Sequence, residues 1–192
     1  MRQLLEEIEL PGPPVWSVLG KDASVKTVIT DDRVHTYDLY NLTDREALRY
    51  GSRFGDNINL VWGDPGTSDN IRFVSASASS QPIKYDEPIA INVRSGNYLV
   101  YESGRWGINL GWSDTPKYEW RIRGGQPYWD EYYVATATPV SLYSIVENDN
   151  LIYEERDWGI NLKWFRDSGK YDTITDLIRN GASIDEIFER FF

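Results

Sequence analysis

Three dipeptides pair a charged side chain with an aromatic ring: Arg53-Phe54, Arg105-Trp106 and Asp157-Trp158, spaced 52 residues apart. Each precedes a glycine and opens a recurring phrase, RFGDNINLVW, RWGINLGW or DWGINLKW. A flat ring beside a charged group can grip a sugar. The ring stacks on apolar C–H groups while hydroxyls take directional hydrogen bonds. These six residues are therefore candidate ligand contacts, although the rings can instead fold under their loops as apolar plugs. A second concentration, Tyr128-Trp129-Asp130-Glu131-Tyr132-Tyr133, sets four aromatics around two carboxylates. Tyr128, Trp129 and Asp130 are the candidate contacts there. They read equally as a wall for a carbohydrate or basic peptide and as a strand entry with alternate residues buried.

Catalysis has little to work with. Asp130 with Glu131, or Asp31 with Asp32, can be imagined as a glycosidase acid and base pair. Neighbours along a strand point to opposite faces, so neither pair naturally faces one substrate. No phosphate-cradling glycine loop, zinc spacing or nucleophile elbow is present in the sequence. The expectation is a protein that is not an enzyme, has no cofactor and carries no metal site. Asn41-Leu42-Thr43 matches a glycosylation acceptor, which matters only in an exported chain.

The elements that must position these residues follow from period-two patterning. Ile108, Leu110 and Trp112 alternate with Asn109 and Gly111, which places three apolar residues on one strand face. Leu99 and Tyr101 share a face in the preceding segment, and residues 102–107 between them read as a glycine-punctuated hairpin loop. Upstream words also match: Leu48-Arg49-Tyr50, Leu99-Val100-Tyr101 and Leu151-Ile152-Tyr153. Downstream come Ile71-Arg72-Phe73 and Tyr118-Glu119-Trp120-Arg121-Ile122, with a poorer third partner near Tyr171–Ile174. A period near 50 residues marks supersecondary units that cannot bury their apolar faces alone. Each unit is expected to supply four short strands. Trp62, Trp112 and Trp164 then fall on the inward face as core, and Asn59, Asn109 and Asn161 satisfy loop backbone groups.

Three four-stranded units of this length resemble the β-trefoil superfamily. There six strands form a barrel and three hairpins cap it around a pseudo-threefold axis. The words Asn97-Tyr98-Leu99 and Gly104-Arg105 are similar to those of fascin-like and actin-crosslinking-like trefoils. The Gln-x-Trp of ricin-type lectin repeats is replaced by Glu119 leading into Trp120. The resemblance implies an all-β fold with binding sites recurring once per repeat near the hairpins. The expected organisation is an N-terminal helix and proline-rich lead-in over 1–25, a trefoil over 26–182, and a C-terminal amphipathic helix over 183–192. The repeats divide at about 26–80, 81–130 and 131–182.

At the C-terminus, Ser183 and Glu186 have capping-box spacing, and Ile184, Ile187, Phe188 and Phe191 form an apolar stripe at helical spacing. That stripe either covers the barrel or docks on a protein partner or second copy. Near the N-terminus, Leu4, Leu5 and Ile8 line one side of a short helix stopped by Pro11-Gly12-Pro13-Pro14.

Composition narrows the function classes. The chain has no cysteine and only one histidine, His35, which removes disulfides, thiolate chemistry and histidine-rich metal sites. A net charge of −10 disfavours phosphate backbones and anionic lipid, so no nucleic-acid partner is expected. No apolar run is long enough for a membrane-spanning helix. Glu6, Glu7 and Glu9 interrupt any signal-peptide centre, which implies a cytoplasmic chain or one exported without a classical signal peptide. Aromatics at 14%, with 8 Trp and 13 Tyr, are well above ordinary; such rings bury large areas and also form the stacking faces of binding sites. The reading is a non-enzymatic, lectin-like module for a glycan or glycoconjugate. The alternative is a protein-binding trefoil, protease-inhibitor-like or serving in interaction or toxin targeting.

Overall fold

The computed structural model describes residues 13–30, 35–51, 59–66, 71–77, 80–94, 97–103, 108–124, 133–157, 159–168, 181 and 183. Within them the protein is all-β. The strands are β1 (Trp16–Gly20), β2 (Tyr37–Asn41), β3 (Ala47–Tyr50), β4 (Leu60–Gly63), β5 (Arg72–Ser75), β6 (Ile89–Arg94), β7 (Asn97–Tyr101), β8 (Leu110–Ser113), β9 (Trp120–Gly124), β10 (Pro139–Ser144), β11 (Asp149–Tyr153) and β12 (Leu162–Trp164). A single 3-10 turn follows at Phe165–Ser168.

All the strand ladders are antiparallel. They run in the order β4-β3-β2-β1-β10-β9-β6-β7-β8, with β5 beside β6, and β11 between β10 and β12. Outside these ladders, Tyr37 and Ile71 exchange both backbone hydrogen bonds at 3.0 Å, joining the start of β2 to the residue before β5. Ile89 pairs with Trp120 and Val140 with Trp16 in the same sense.

Strand pairing begins ahead of residue 26, inside the expected lead-in. β1 pairs along its whole length with β2, from Trp16↔Asn41 to Gly20↔Tyr37, and its first two residues also pair with β10. β1 thus pairs antiparallel with β2 as β5 does with β6 and β9 with β10. The weak word near Tyr171–Ile174 and both expected terminal helices lie outside the described residues, apart from Ser183.

The core explains the aromatic content. Trp16, Tyr37, Phe73 and Trp120 are fully buried beside Leu39, Ile91, Leu99 and Leu142. Large rings bury 150–250 Å² each, which at roughly 25 cal/mol per Å² makes them leading contributors to stability. Tryptophan N–H groups need partners once buried. Trp16 Nε1 donates to the Leu151 carbonyl at 2.6 Å and Trp120 Nε1 to that of Leu99 at 2.7 Å. Trp62 Nε1 donates to the Ile160 carbonyl at 2.6 Å and Trp164 Nε1 to that of Ile108 at 2.9 Å. The core reading of Trp62, Trp112 and Trp164 holds, since each packs in or against the buried cluster.

These rings also link one hairpin to another. Tyr50 packs on Trp112 with centroids 5.5 Å apart, Tyr101 on Trp164 at 6.0 Å, and Tyr153 on Trp62 at 5.6 Å. At the other end of the strands, Val28, Ile83 and Val134 form a cycle of backbone bonds. Val28 N–H donates to the Val134 carbonyl, Val134 to Ile83 and Ile83 to Val28, at 2.8–2.9 Å. All three are fully buried, so the cycle leaves no orphaned amide.

Candidate functional site

The three hairpin loops rise from equivalent bases. Gly51 N–H donates to the Asn59 carbonyl at 2.8 Å, Glu102 to that of Asn109 at 2.9 Å, and Glu154 to that of Asn161 at 3.0 Å. The three asparagines have φ of 52°, 58° and 59°. Asparagine tolerates this left-handed region better than most residues because its short side chain bonds locally. Asn161 does so: its Oδ1 accepts the Arg156 N–H at 3.2 Å and its Nδ2 donates to the Tyr153 hydroxyl at 3.3 Å. The repeated asparagine is thus a loop pivot. It also shortens the expected strand, because β8 starts at Leu110, after the pivot, while Ile108 is buried in the loop.

Of the predicted hairpin contacts, Asp157 is described. It is exposed at the tip of the β11–β12 loop, between Arg156 and the Trp158 position. Gly159 follows with φ of 92°, where nothing lies within 4 Å of a built Cβ. Below the tip, Lys163 Nζ pairs with Glu154 Oε1 across the hairpin at 2.7 Å. Arg53, Phe54, Arg105, Trp106 and Trp158 lie outside the described residues, as do Tyr128, Trp129 and Asp130, and Ile184, Ile187, Phe188 and Phe191.

Two other sequence features turn out to be structural. Asn41 of the glycosylation-like triplet is fully buried, and its Oδ1 caps the following turn by accepting the Thr43 and Asp44 N–H groups at 2.9 and 3.0 Å. Glu119, which precedes Trp120, accepts the Tyr101 N–H, and burial pushes its carboxyl above the usual range.

Sequence reasoning missed a cleft of about 350 Å³ at the far end of β5, away from the hairpins. It is lined by Thr30, Gln81, Lys84, Glu87 and Tyr133, among others. Glu87 Oε1 accepts both the Ser75 hydroxyl and, at 2.6 Å, the Ser77 hydroxyl, while its Oε2 accepts the Lys84 N–H at 3.0 Å. Burial opposes ionisation of this carboxyl, but those hydrogen bonds and the Lys84 charge outweigh it and hold the group below its usual range. Tyr133 is 45% exposed over the cleft. The signal that would have found this constellation is a break in the repeat. Ser75 occupies the register position of Gly20 and Gly124, opposite Ile89, Tyr37 and Val140 respectively.

Among the described residues, no cluster of three or more His, Asp or Glu side chains is placed to hold a metal ion. No helix among them is long and apolar enough to cross a membrane. Comparison with known proteins finds no family model, no curated protein and no solved structure that matches the chain.

Proposed function

We propose that the chain is a non-enzymatic binding module of β-trefoil architecture and lectin type, engaging glycans at the tips of its three hairpins. Support for the architecture comes from the pairing pattern. β1, β2, β5, β6, β9 and β10 make a circuit when the Tyr37–Ile71 bridge is counted with the ladders. The three tyrosine–tryptophan pairs and the Val28–Ile83–Val134 cycle are what a threefold axis through that circuit requires. The remaining six strands are the hairpins β3–β4, β7–β8 and β11–β12.

The observation that carries the glycan reading is the repeated hairpin base, with its left-handed asparagine and matching backbone bond. The sequence between the ends of these bases carries Arg53-Phe54, Arg105-Trp106 and Asp157-Trp158, and Asp157 is exposed at the third; the first loop holds two extra residues, Asp56 and Asn57, so its site differs from the other two. Rigid bases reduce the ordering cost of binding, which suits sites that take weak ligands several at a time. The test is a glycan array with the full chain and with a Trp106→Ala/Trp158→Ala double variant. Binding that disappears in the variant, with the far-ultraviolet circular dichroism unchanged, is the expected result. An array blank for the full chain removes the reading.

A further inference from the structure

We propose that the cleft beside Glu87 is a second ligand site, independent of the hairpins, which takes a neutral sugar-sized polyol. Symmetry separates it from the scaffold. Features needed to build three equivalent units recur three times, as the hairpin bases do, whereas the hydrogen-bonded Ser75–Glu87 pair occurs once. In the same register the other units hold Gly20 with His35 and Gly124 with Thr138. Thr138 makes only a local turn bond, from its hydroxyl to the Ala135 carbonyl at 3.0 Å. A turn at this position therefore forms without a carboxylate.

The chemistry of the cleft selects the ligand class. A carboxylate offers about four acceptor positions, and Ser75, Ser77 and the Lys84 N–H occupy three, leaving one for a ligand hydroxyl. The Lys84 ammonium and Glu87 carboxylate balance in charge, so neither an anion nor a cation is favoured outright. Gln81 adds an amide that both donates and accepts, and the exposed Tyr133 ring with Pro82 and Pro88 supplies an apolar wall. At about 350 Å³ the cleft lies at the small end of ligand pockets, roughly 300–1,000 Å³, which fits one or two sugar rings.

Saturation-transfer NMR on the full chain tests this with free glucose, galactose, mannose and N-acetylglucosamine, and with arginine and inorganic phosphate as ionic probes. At least one sugar is expected to bind. Glu87→Gln and Tyr133→Ala should each weaken it about tenfold or more, the scale of one charge-assisted hydrogen bond or one stacked ring. The Trp106→Ala/Trp158→Ala variant should leave it unchanged, which separates this site from the hairpins. Tyr133 is exposed, so its variant keeps the test open if Glu87→Gln does not fold. The proposal is overturned if no sugar binds, if only an ionic probe does, or if sugar binding survives both cleft substitutions.

Discussion

Side-chain chemistry in this protein is spent mainly on loop geometry. Asn59, Asn109 and Asn161 recur because each hairpin needs a residue that accepts a left-handed backbone at its exit. At the third hairpin the side chain adds a bond to the Arg156 N–H. Two substitutions separate these contributions. Asn161→Ala imposes the strain and removes the bond, and is expected to cost about 1–2 kcal/mol. Asn161→Gly keeps the backbone conformation at little cost and should lose less. Urea denaturation of the two variants measures the difference, and equal losses would show that the backbone angle is immaterial. Gly111 illustrates a different constraint: a Cβ there would collide with the Glu102 side chain, including its Cβ at 2.8 Å.

Elements in this fold are held by contacts that cross from one hairpin to the next. Trp164 belongs to β12, yet its N–H is satisfied by Ile108 ahead of β8, and its ring packs on Tyr101 of β7. Trp164→Phe keeps a large ring but leaves the Ile108 carbonyl without its donor. The expected loss is about 1–3 kcal/mol, read from the denaturant midpoint at unchanged slope. A loss below experimental error would mean that water replaces the indole. The end of β12 is fixed by a separate clasp. Asp149 Oδ2 accepts the Arg166 N–H at 2.9 Å, and the Arg166 guanidinium donates to the Glu147 carbonyl at 2.8 Å and to that of Asn148. Burial raises the Asp149 carboxyl despite these bonds, so this anchor serves geometry more than net stability.

For the molecule as a whole, β1 joins early and late sequence, pairing with β2 on one side and β10 on the other. It also brings Trp16 against Trp62, with ring centroids 6.0 Å apart. Removing residues 1–20 should therefore do more than trim an edge. It strips one side of β10, opens the proposed circuit and leaves the Trp62 ring without its stacking partner. The expected outcome is loss of the cooperative unfolding transition followed by circular dichroism. A truncated chain that still unfolds in one sharp step would show that β1 is dispensable and that no ring is needed.

Much of this was legible in the chain. Period-two patterning in Leu99–Tyr101 and Leu110–Trp112, and its return about 50 residues on, determined an all-β protein of repeated hairpins with tryptophans turned inward. Such patterns are local, and a strand's face follows from alternation alone. Three things were decided only in three dimensions. Besides β9 and β11, β10 pairs with Trp16 and Ser17 of β1, because pairing across the chain depends on which edges meet, and nearness in sequence does not set that. Asn109 ends the alternation it was read into, because a positive φ appears in the backbone and leaves no mark on hydropathy. The Ser75–Glu87 constellation forms because β5 and the turn before β6 converge, bringing together residues 12 apart whose types, taken singly, are ordinary surface choices.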